Sequence, residues 1–217
     1  MNNERIQSIV EKGVKKQRKV RKMYSLMLSV ENQKVTIIGG GKIAYRKACT
    51  LINEKCKIQV ISPRFIDAFN KLPVTLIKRK YKEGDCLGSL LVFAATNEPK
   101  MNHQVFMECE EAHILCNVAD DNHYSHFMTP AQVKRGDLIL AVSTGGKSPA
   151  LAARIKKELE AHYGIEYEKR LNLLGTIREY IIKSQKSESK RKQILSELAG
   201  FSYEALEAYV AKNWPDL

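Results

Sequence analysis

No apolar run in this chain approaches the ~18–20 residues needed to cross a bilayer as a helix, and its N-terminus has no short apolar core of the secretory kind. Neither a membrane span nor a leader is therefore expected. Cysteine is sparse and poorly arranged for metal. Cys49, Cys56, Cys86, Cys109 and Cys116 are odd in number and contain no C-x-x-C pair. That pattern argues against a zinc cluster and for reduced, mostly buried thiols in a cytoplasmic protein. Internal repeats and low-complexity tracts are missing as well. Negative charge is in deficit: 24 Asp and Glu stand against 36 Lys and Arg, a formal net charge of +12.

Half of that excess falls in residues 1–23, where Lys12, Lys15, Lys16, Arg18, Lys19, Arg21 and Lys22 crowd together. A basic arm of this kind suits nonspecific nucleic-acid binding, contact with an anionic membrane, or plain solvation as a helix, and solvation is the default. No specific nucleic-acid partner is read from it. The rest of the chain is still moderately basic, as suits a site for an anionic ligand.

The most informative stretch is Lys34-Val-Thr-Ile-Ile-Gly-Gly-Gly-Lys-Ile-Ala44. Val35, Ile37 and Ile38 form a short β-run that Gly39, Gly40 and Gly41 interrupt. Ala44, Ala48, Leu51 and Ile52 then follow at helical spacing. Gly39-x-Gly41-x-x-Ala44 fits the dinucleotide fingerprint. Gly39 permits the tight turn, Gly41 lets backbone approach a pyrophosphate, and Ala44 lets the helix pack closely on the sheet. The phosphates would rest on the free N–H groups of the helix's first turn. A tight loop that binds nothing is the alternative.

The alternation continues downstream. Residues 57–62 read as a second strand stopped by Pro63, 74–78 as a third, 90–95 as a fourth with the continuous apolar character of a strand buried on both faces, and 114–118 as a fifth. A helix is expected from Asn97 to about Ala112. This is the pattern of an α/β doubly wound parallel sheet. A short apolar segment, 24–30, precedes it. After Asp121 the pattern changes: residues 127–130 and 137–143 look like two strands of a separate ribbon. A helix follows, capped by Ser148 with Pro149 in its first turn. From Glu166 onward the chain reads as helical, with breaks near 184–189 and at Gly200.

One absence weakens the cofactor reading as far as single residues go. An NAD site commonly carries an acid about 20 residues past the glycines, on the adenosine ribose, whereas here the second strand ends Ile61-Ser62-Pro63-Arg64. Ser62 offers one hydrogen bond and Arg64 would suit a 2′-phosphate, so NAD against NADP stays open. The segment Ala94-Ala-Thr-Asn97 should border the cofactor, or else serve as a loop and helix cap. The loop Ser143-Thr-Gly-Gly-Lys-Ser-Pro149 precedes a helix N-terminus and so suits an anion, but lacks Walker A spacing. Asp120, after the fifth strand, suits a general base, a metal-contacting carboxylate or a turn residue. His123 and His126, three apart, lack a third ligand and read as polar surface histidines, so no metal site is expected.

Gly39-Gly-Gly-Lys-Ile-Ala44, Val60-Ile-Ser-Pro63, Ala94-Ala-Thr96, Asn117-Val-Ala-Asp120 and Ala141-Val-Ser-Thr-Gly-Gly-Lys-Ser-Pro-Ala150 occur in that order. Together they resemble the precorrin-2 dehydrogenase / sirohydrochlorin ferrochelatase family of sirohaem synthesis. The likeness is close from about Tyr24 to Glu160 and loose over the helical tail. Ser-Thr-Gly-Gly-Lys-Ser-Pro is its most specific element.

Beyond the basic arm (1–23), the resemblance implies an NAD-binding Rossmann domain (24–115), a dimerisation and active-site segment (116–150) and a helical C-terminal domain (151–217). It also implies a homodimer that oxidises precorrin-2, an anionic tetrapyrrole, to sirohydrochlorin with NAD⁺. The family's essential aspartate maps onto Asp120. The cofactor residues it implies are Gly39, Gly41, Lys42, Ile43, Ser62, Pro63, Ala95 and Thr96, and the substrate residues Ser143, Thr144, Gly145, Lys147 and Ser148. Ser-Pro is common in the family where Ser62-Pro63 stands here, so the missing acid does not count against NAD within it. The basic arm departs from the family pattern. Iron insertion into the product, or noncatalytic binding of nucleotide and tetrapyrrole, are the alternatives.

Overall fold

The computed structural model describes residues 22–119 and 121–214. Most of the basic arm, and Asp120, lie outside the described residues. The chain divides into two compact units, Met1–Thr129 and Pro130–Leu217.

In the first unit, β1 (Lys34–Ile38), β2 (Lys57–Ile61), β3 (Thr75–Ile77), β4 (Leu91–Ala94) and β5 (Leu115–Val118) form one sheet in the order β3-β2-β1-β4-β5. Every pairing is parallel, and the register aligns the strand ends in one row: Ile77, Ile61, Ile38, Ala94, Val118. Strand alternation divides the apolar side chains between the faces. Val35, Ile37, Ile58, Val60, Leu91 and Phe93 share one buried cluster with Ala44, Ala48 and Leu51 of α1 (Lys42–Ile52). Ile38, Ile61, Val92, Ala94, Cys116 and Val118 share another with Val105, Phe106 and Cys109 of α2 (Pro99–Glu111). A sheet covered on both faces favours strands that are apolar throughout, as β4 (Leu-Val-Phe-Ala) is. Ala44 and Ala48 are fully buried, so α1 sits close to the sheet.

One buried polar network interrupts the α2 face. Thr36 and Ser89 hydroxyls share a hydrogen bond at 2.7 Å, and Gln59 Nε2 donates to Thr36 Oγ1 at 2.8 Å.

Two expected elements differ. Residues 127–130 are not a strand. Phe127 packs edge-on against Phe93 of β4, and its carbonyl accepts from Asn117 Nδ2 at 3.0 Å, which commits this backbone to the first unit. The strand instead begins at Ala131. The apolar segment 24–30 forms no regular element: Val30 is buried, whereas Tyr24, Leu26, Met27 and Leu28 are exposed. All five cysteines are free, with Cys86, Cys109 and Cys116 buried.

In the second unit, β6 (Ala131–Arg135) and β7 (Leu138–Val142) form an antiparallel hairpin, turned by Gly136 at φ +56. Four helices follow: α3 (Pro149–His162), α4 (Glu166–Ser184), α5 (Glu188–Leu198) and α6 (Tyr203–Asn213). The expected breaks near 184–189 and at Gly200 fall between them. Ser148, Ser187 and Ser202 cap α3, α5 and α6 through their side-chain oxygens. Ile177, Ile181, Leu198 and Leu206 form this unit's own core. The unit boundary after Thr129 keeps β5 whole in the first unit. No described helix is long and apolar enough to cross a membrane.

Candidate active site

The aligned strand ends form the carboxyl edge of the sheet, and the order reverses direction between β1 and β4. Ligands of open α/β sheets bind at such a switch point. The three glycines stand there, each with a different duty. Gly39 has φ +129, a backbone conformation L side chains rarely adopt, and a Cβ on it would collide with the Ala95 carbonyl. Gly40, to which sequence reasoning gave no role, lies against the Arg64 carbonyl and Ser62 Oγ. Gly41 is the N-cap of α1, with φ −91, and a Cβ on it would meet nothing within 4 Å. No side chain caps α1. Open space above an uncapped helix start is what a pyrophosphate requires, so the residues present fit a dinucleotide.

Backbone bonds hold this turn to its neighbours. Gly39 N–H donates to the Ile61 carbonyl at 2.9 Å, Ile66 N–H to Gly40 at 3.0 Å, and Ala95 N–H to Ile38 at 2.8 Å. Ser62 is buried, and its hydroxyl donates to the Arg64 carbonyl at 2.7 Å. That hydroxyl therefore builds the turn after β2. Pro63, Lys42 and Ile43 are exposed. Ala95 lines the turn through its backbone. Thr96 is tied to α2, its Oγ1 donating to Asn102 Oδ1 at 2.7 Å and its N–H to the same oxygen at 3.0 Å. Asn102, buried on α2, was not singled out from the sequence, where one asparagine in a helix carries no signal.

Asp120 lies outside the described residues, but the chain on either side is firmly held. Ser125 Oγ accepts from Val118 N–H at 2.9 Å and donates to the Asp121 carbonyl at 3.0 Å. His126 is not the polar surface histidine expected. Its Nδ1 accepts from Cys116 N–H at 3.0 Å, Nε2 pairs with Glu110, and the ring stacks at a tilt on Phe106. An Nδ1 that accepts fixes the proton on Nε2 in the neutral ring. His123 is exposed, and its N–H is capped by Asp121 Oδ1 at 2.8 Å. Among the described residues no three His, Cys, Asp or Glu side chains converge as a metal site.

Lys47 is a further residue that the sequence did not mark. Its Nζ reaches Thr129 Oγ1 at 2.5 Å and lies 5.3 Å from the Phe93 ring centre. Burial, and then the charge of Arg46, lower its pKa; the loss of hydration disfavours the ammonium form.

In the second unit, the expected substrate loop is largely occupied with itself. Thr144 Oγ1 accepts from Ser148 N–H at 3.1 Å and donates to the Ser148 carbonyl at 3.0 Å. Ser143 Oγ accepts from Gly145 N–H, and Ser148 Oγ caps Leu151 N–H, both at 3.2 Å. Gly145 and Gly146 have φ +61 and +78. Lys147 is exposed, and among the described residues it pairs with no carboxylate.

Comparison with known proteins agrees with this arrangement. A family model described as putative NAD(P)-binding matches residues 26–131, and one described as the sirohaem biosynthesis protein central region matches 135–162. Precorrin-2 dehydrogenase of Priestia megaterium is 30% identical over 185 residues, covering 83% of this chain and 91% of the relative. Siroheme synthase 1 of Aeromonas hydrophila is 29% identical over 87% of this chain, which spans only 41% of that longer protein. A solved structure, SirC precorrin-2 dehydrogenase, superposes with a TM-score of 0.72 at 28% identity, covering 88% of this chain and 98% of that one. With a relative matched over nearly its whole length and a shared fold, the chain belongs to the precorrin-2 dehydrogenase family.

Proposed function

We propose that this protein oxidises precorrin-2 to sirohydrochlorin, with an oxidised nicotinamide dinucleotide as acceptor and Asp120 as the base. The observation that carries the reading is the phosphate turn, where Gly41 opens on empty space above the uncapped start of α1. The dinucleotide, when bound, supplies the hydride acceptor. The chain supplies position and proton handling. Gly39, Gly40 and the Ala95 backbone shape the cradle, and the first-turn N–H groups of α1 meet the pyrophosphate. Ser125 and His126 hold the chain on either side of Asp120, which follows β5 in the sequence. A carboxylate there takes the proton that leaves the macrocycle as the hydride departs. Lys147 and the general basic excess suit a polycarboxylate substrate.

We further place the protein in the cytoplasm, which five free thiols support, and infer a homodimer formed through the 116–150 segment. The family resemblance carried by this segment, which the sirohaem central family model matches over residues 135–162, supports this. Residues 24–115 then serve as the dinucleotide-binding part and 151–217 as the helical domain.

Anaerobic incubation with precorrin-2 and either NAD⁺ or NADP⁺, following reduced-nucleotide absorbance and the sirohydrochlorin spectrum together, tests the activity. Asp120→Ala is expected to lower kcat by ~10²–10⁴ while dinucleotide affinity persists. Full activity in that variant removes Asp120 from the mechanism.

A further inference from the structure

Among the described residues β5 is an edge strand, paired with β4 alone. The N–H groups that it turns away from β4 are bonded by side chains. Cys116 N–H donates to His126 Nδ1 at 3.0 Å, and His126 N–H returns a bond to the Cys116 carbonyl at 2.8 Å. Val118 N–H donates to Ser125 Oγ at 2.9 Å, and the buried Asn117 donates from Nδ2 to the Phe127 carbonyl at 3.0 Å. A free sheet edge needs only a cover or a charge to keep other strands away. Here the bonds gather on the two ends of one short excursion, where the chain leaves β5 and where it returns. That excursion carries Asp120 in the sequence.

His126 is central to this closure, and both of its ring nitrogens are engaged. Nδ1 accepts from Cys116, Nε2 pairs with Glu110 of α2, and the ring leans on Phe106 at 4.9 Å between centres. Acceptance at Nδ1 requires the neutral ring with its proton on Nε2, where the Glu110 carboxylate can receive it. Any part that His126 takes in turnover is therefore exerted through the chain it holds. The leverage is large, since a reacting group displaced by about 1 Å loses on the order of 10² in rate.

We propose that His126 is a positioning residue for the dehydrogenation: its neutral ring, held between Cys116 and Glu110, fixes where the Asp120-bearing segment leaves and rejoins β5, and through that the rate of proton removal. The inference rests on the dehydrogenase reading above and adds to it a residue that need not meet the substrate.

Three substitutions in the full chain test it. Asparagine carries Oδ1 at the same remove from Cβ as Nδ1, so His126→Asn keeps an acceptor for Cys116 N–H and gives up Glu110. Glutamine reaches as far as Nε2, so His126→Gln keeps Glu110 and gives up Cys116. His126→Leu gives up both. With precorrin-2 and saturating dinucleotide, His126→Leu and His126→Gln are expected to lose about tenfold to a hundredfold in kcat. His126→Asn should stay within about threefold of wild type, and the calorimetric Kd for the dinucleotide should be unchanged in all three. Amide hydrogen exchange at Cys116, followed by NMR, should accelerate about tenfold or more in His126→Leu and His126→Gln but not in His126→Asn. A kcat indifferent to Leu and Gln, or lowered equally by all three substitutions, overturns the positioning role and leaves the dehydrogenase reading standing. Unchanged exchange at Cys116 in His126→Leu does the same. No turnover by folded wild-type protein with either dinucleotide overturns both.

Discussion

Replacing Gly39 and Gly41 separately by alanine should break different things, because the same added methyl meets different surroundings. At Gly39 the φ of +129 must be kept, since the residue's N–H is bonded to Ile61, and the new Cβ would strike the Ala95 carbonyl, a backbone atom of the sheet. Backbone strain of ~1–3 kcal/mol and overpacking of ~1–3 kcal/mol add to about 2–6 kcal/mol. That is a large part of the ~5–15 kcal/mol that holds a domain together. At Gly41 the backbone is already in an extended conformation open to any residue, and the methyl meets no protein atom. Loss of a favourable N-cap costs up to about 1 kcal/mol, and reduced freedom of the unfolded chain returns ~0.4–1 kcal/mol, so stability should hardly move. The methyl would instead stand in the space reserved for pyrophosphate, weakening dinucleotide binding at least about tenfold, or ~1.4 kcal/mol. Urea unfolding followed by circular dichroism, with calorimetric titration of NADP⁺ and NAD⁺, reads both quantities. Wild-type affinity in Gly41→Ala, or wild-type stability in Gly39→Ala, would refute this account of the turn.

Two further outcomes concern the frame around the site. Hydrogen bonding to Arg79 holds the Asp85 carboxyl below its ordinary 3.8. A depressed carboxyl pKa contributes stability that is complete above the ordinary value and lost as pH falls through the lowered one. Asp85→Asn should therefore be less stable than wild type at neutral pH, with the two unfolding curves converging in strong acid; a gap independent of pH would contradict this. Thr36→Val should cost about 1–3 kcal/mol in chemical denaturation by stranding the buried Ser89 hydroxyl and leaving Gln59 Nε2 with the Asp85 carbonyl at 3.3 Å. Adding Ser89→Ala should return part of that loss, and a purely additive double variant would show that the network does not act as a unit.

The β1–α1 unit was legible because its signals are local: the apolar run 35–38, the glycines, and alanines one turn apart at 44 and 48. The helical tail was legible for the same reason, since serines and Gly200 mark its ends. What escaped depends on partners far along the chain. Gly40 matters through Ser62 and Arg64, which only the β1–β2 register brings beside it. For want of a third metal ligand His126 reads as a polar surface histidine, yet its ring accepts from Cys116 N–H of β5. Residues 127–130 have strand-like composition, and the Phe127 ring pairs with Phe93 instead of entering a ladder. The 143–149 loop was recognisable as a motif, but that its three hydroxyls bond within the loop was not, because a serine before a glycine pair reads equally as donor to a ligand and as scaffold.

The phosphate turn is bound to the sheet only through main-chain groups, at Gly39, Gly40, Ile61, Ile66 and Ala95. Beyond the glycines themselves, side-chain substitutions leave those hydrogen bonds available, because they use main-chain N–H and C=O groups. The capacity to hold a dinucleotide is therefore tied to backbone geometry rather than to any one side chain, so it should survive many single replacements around the turn.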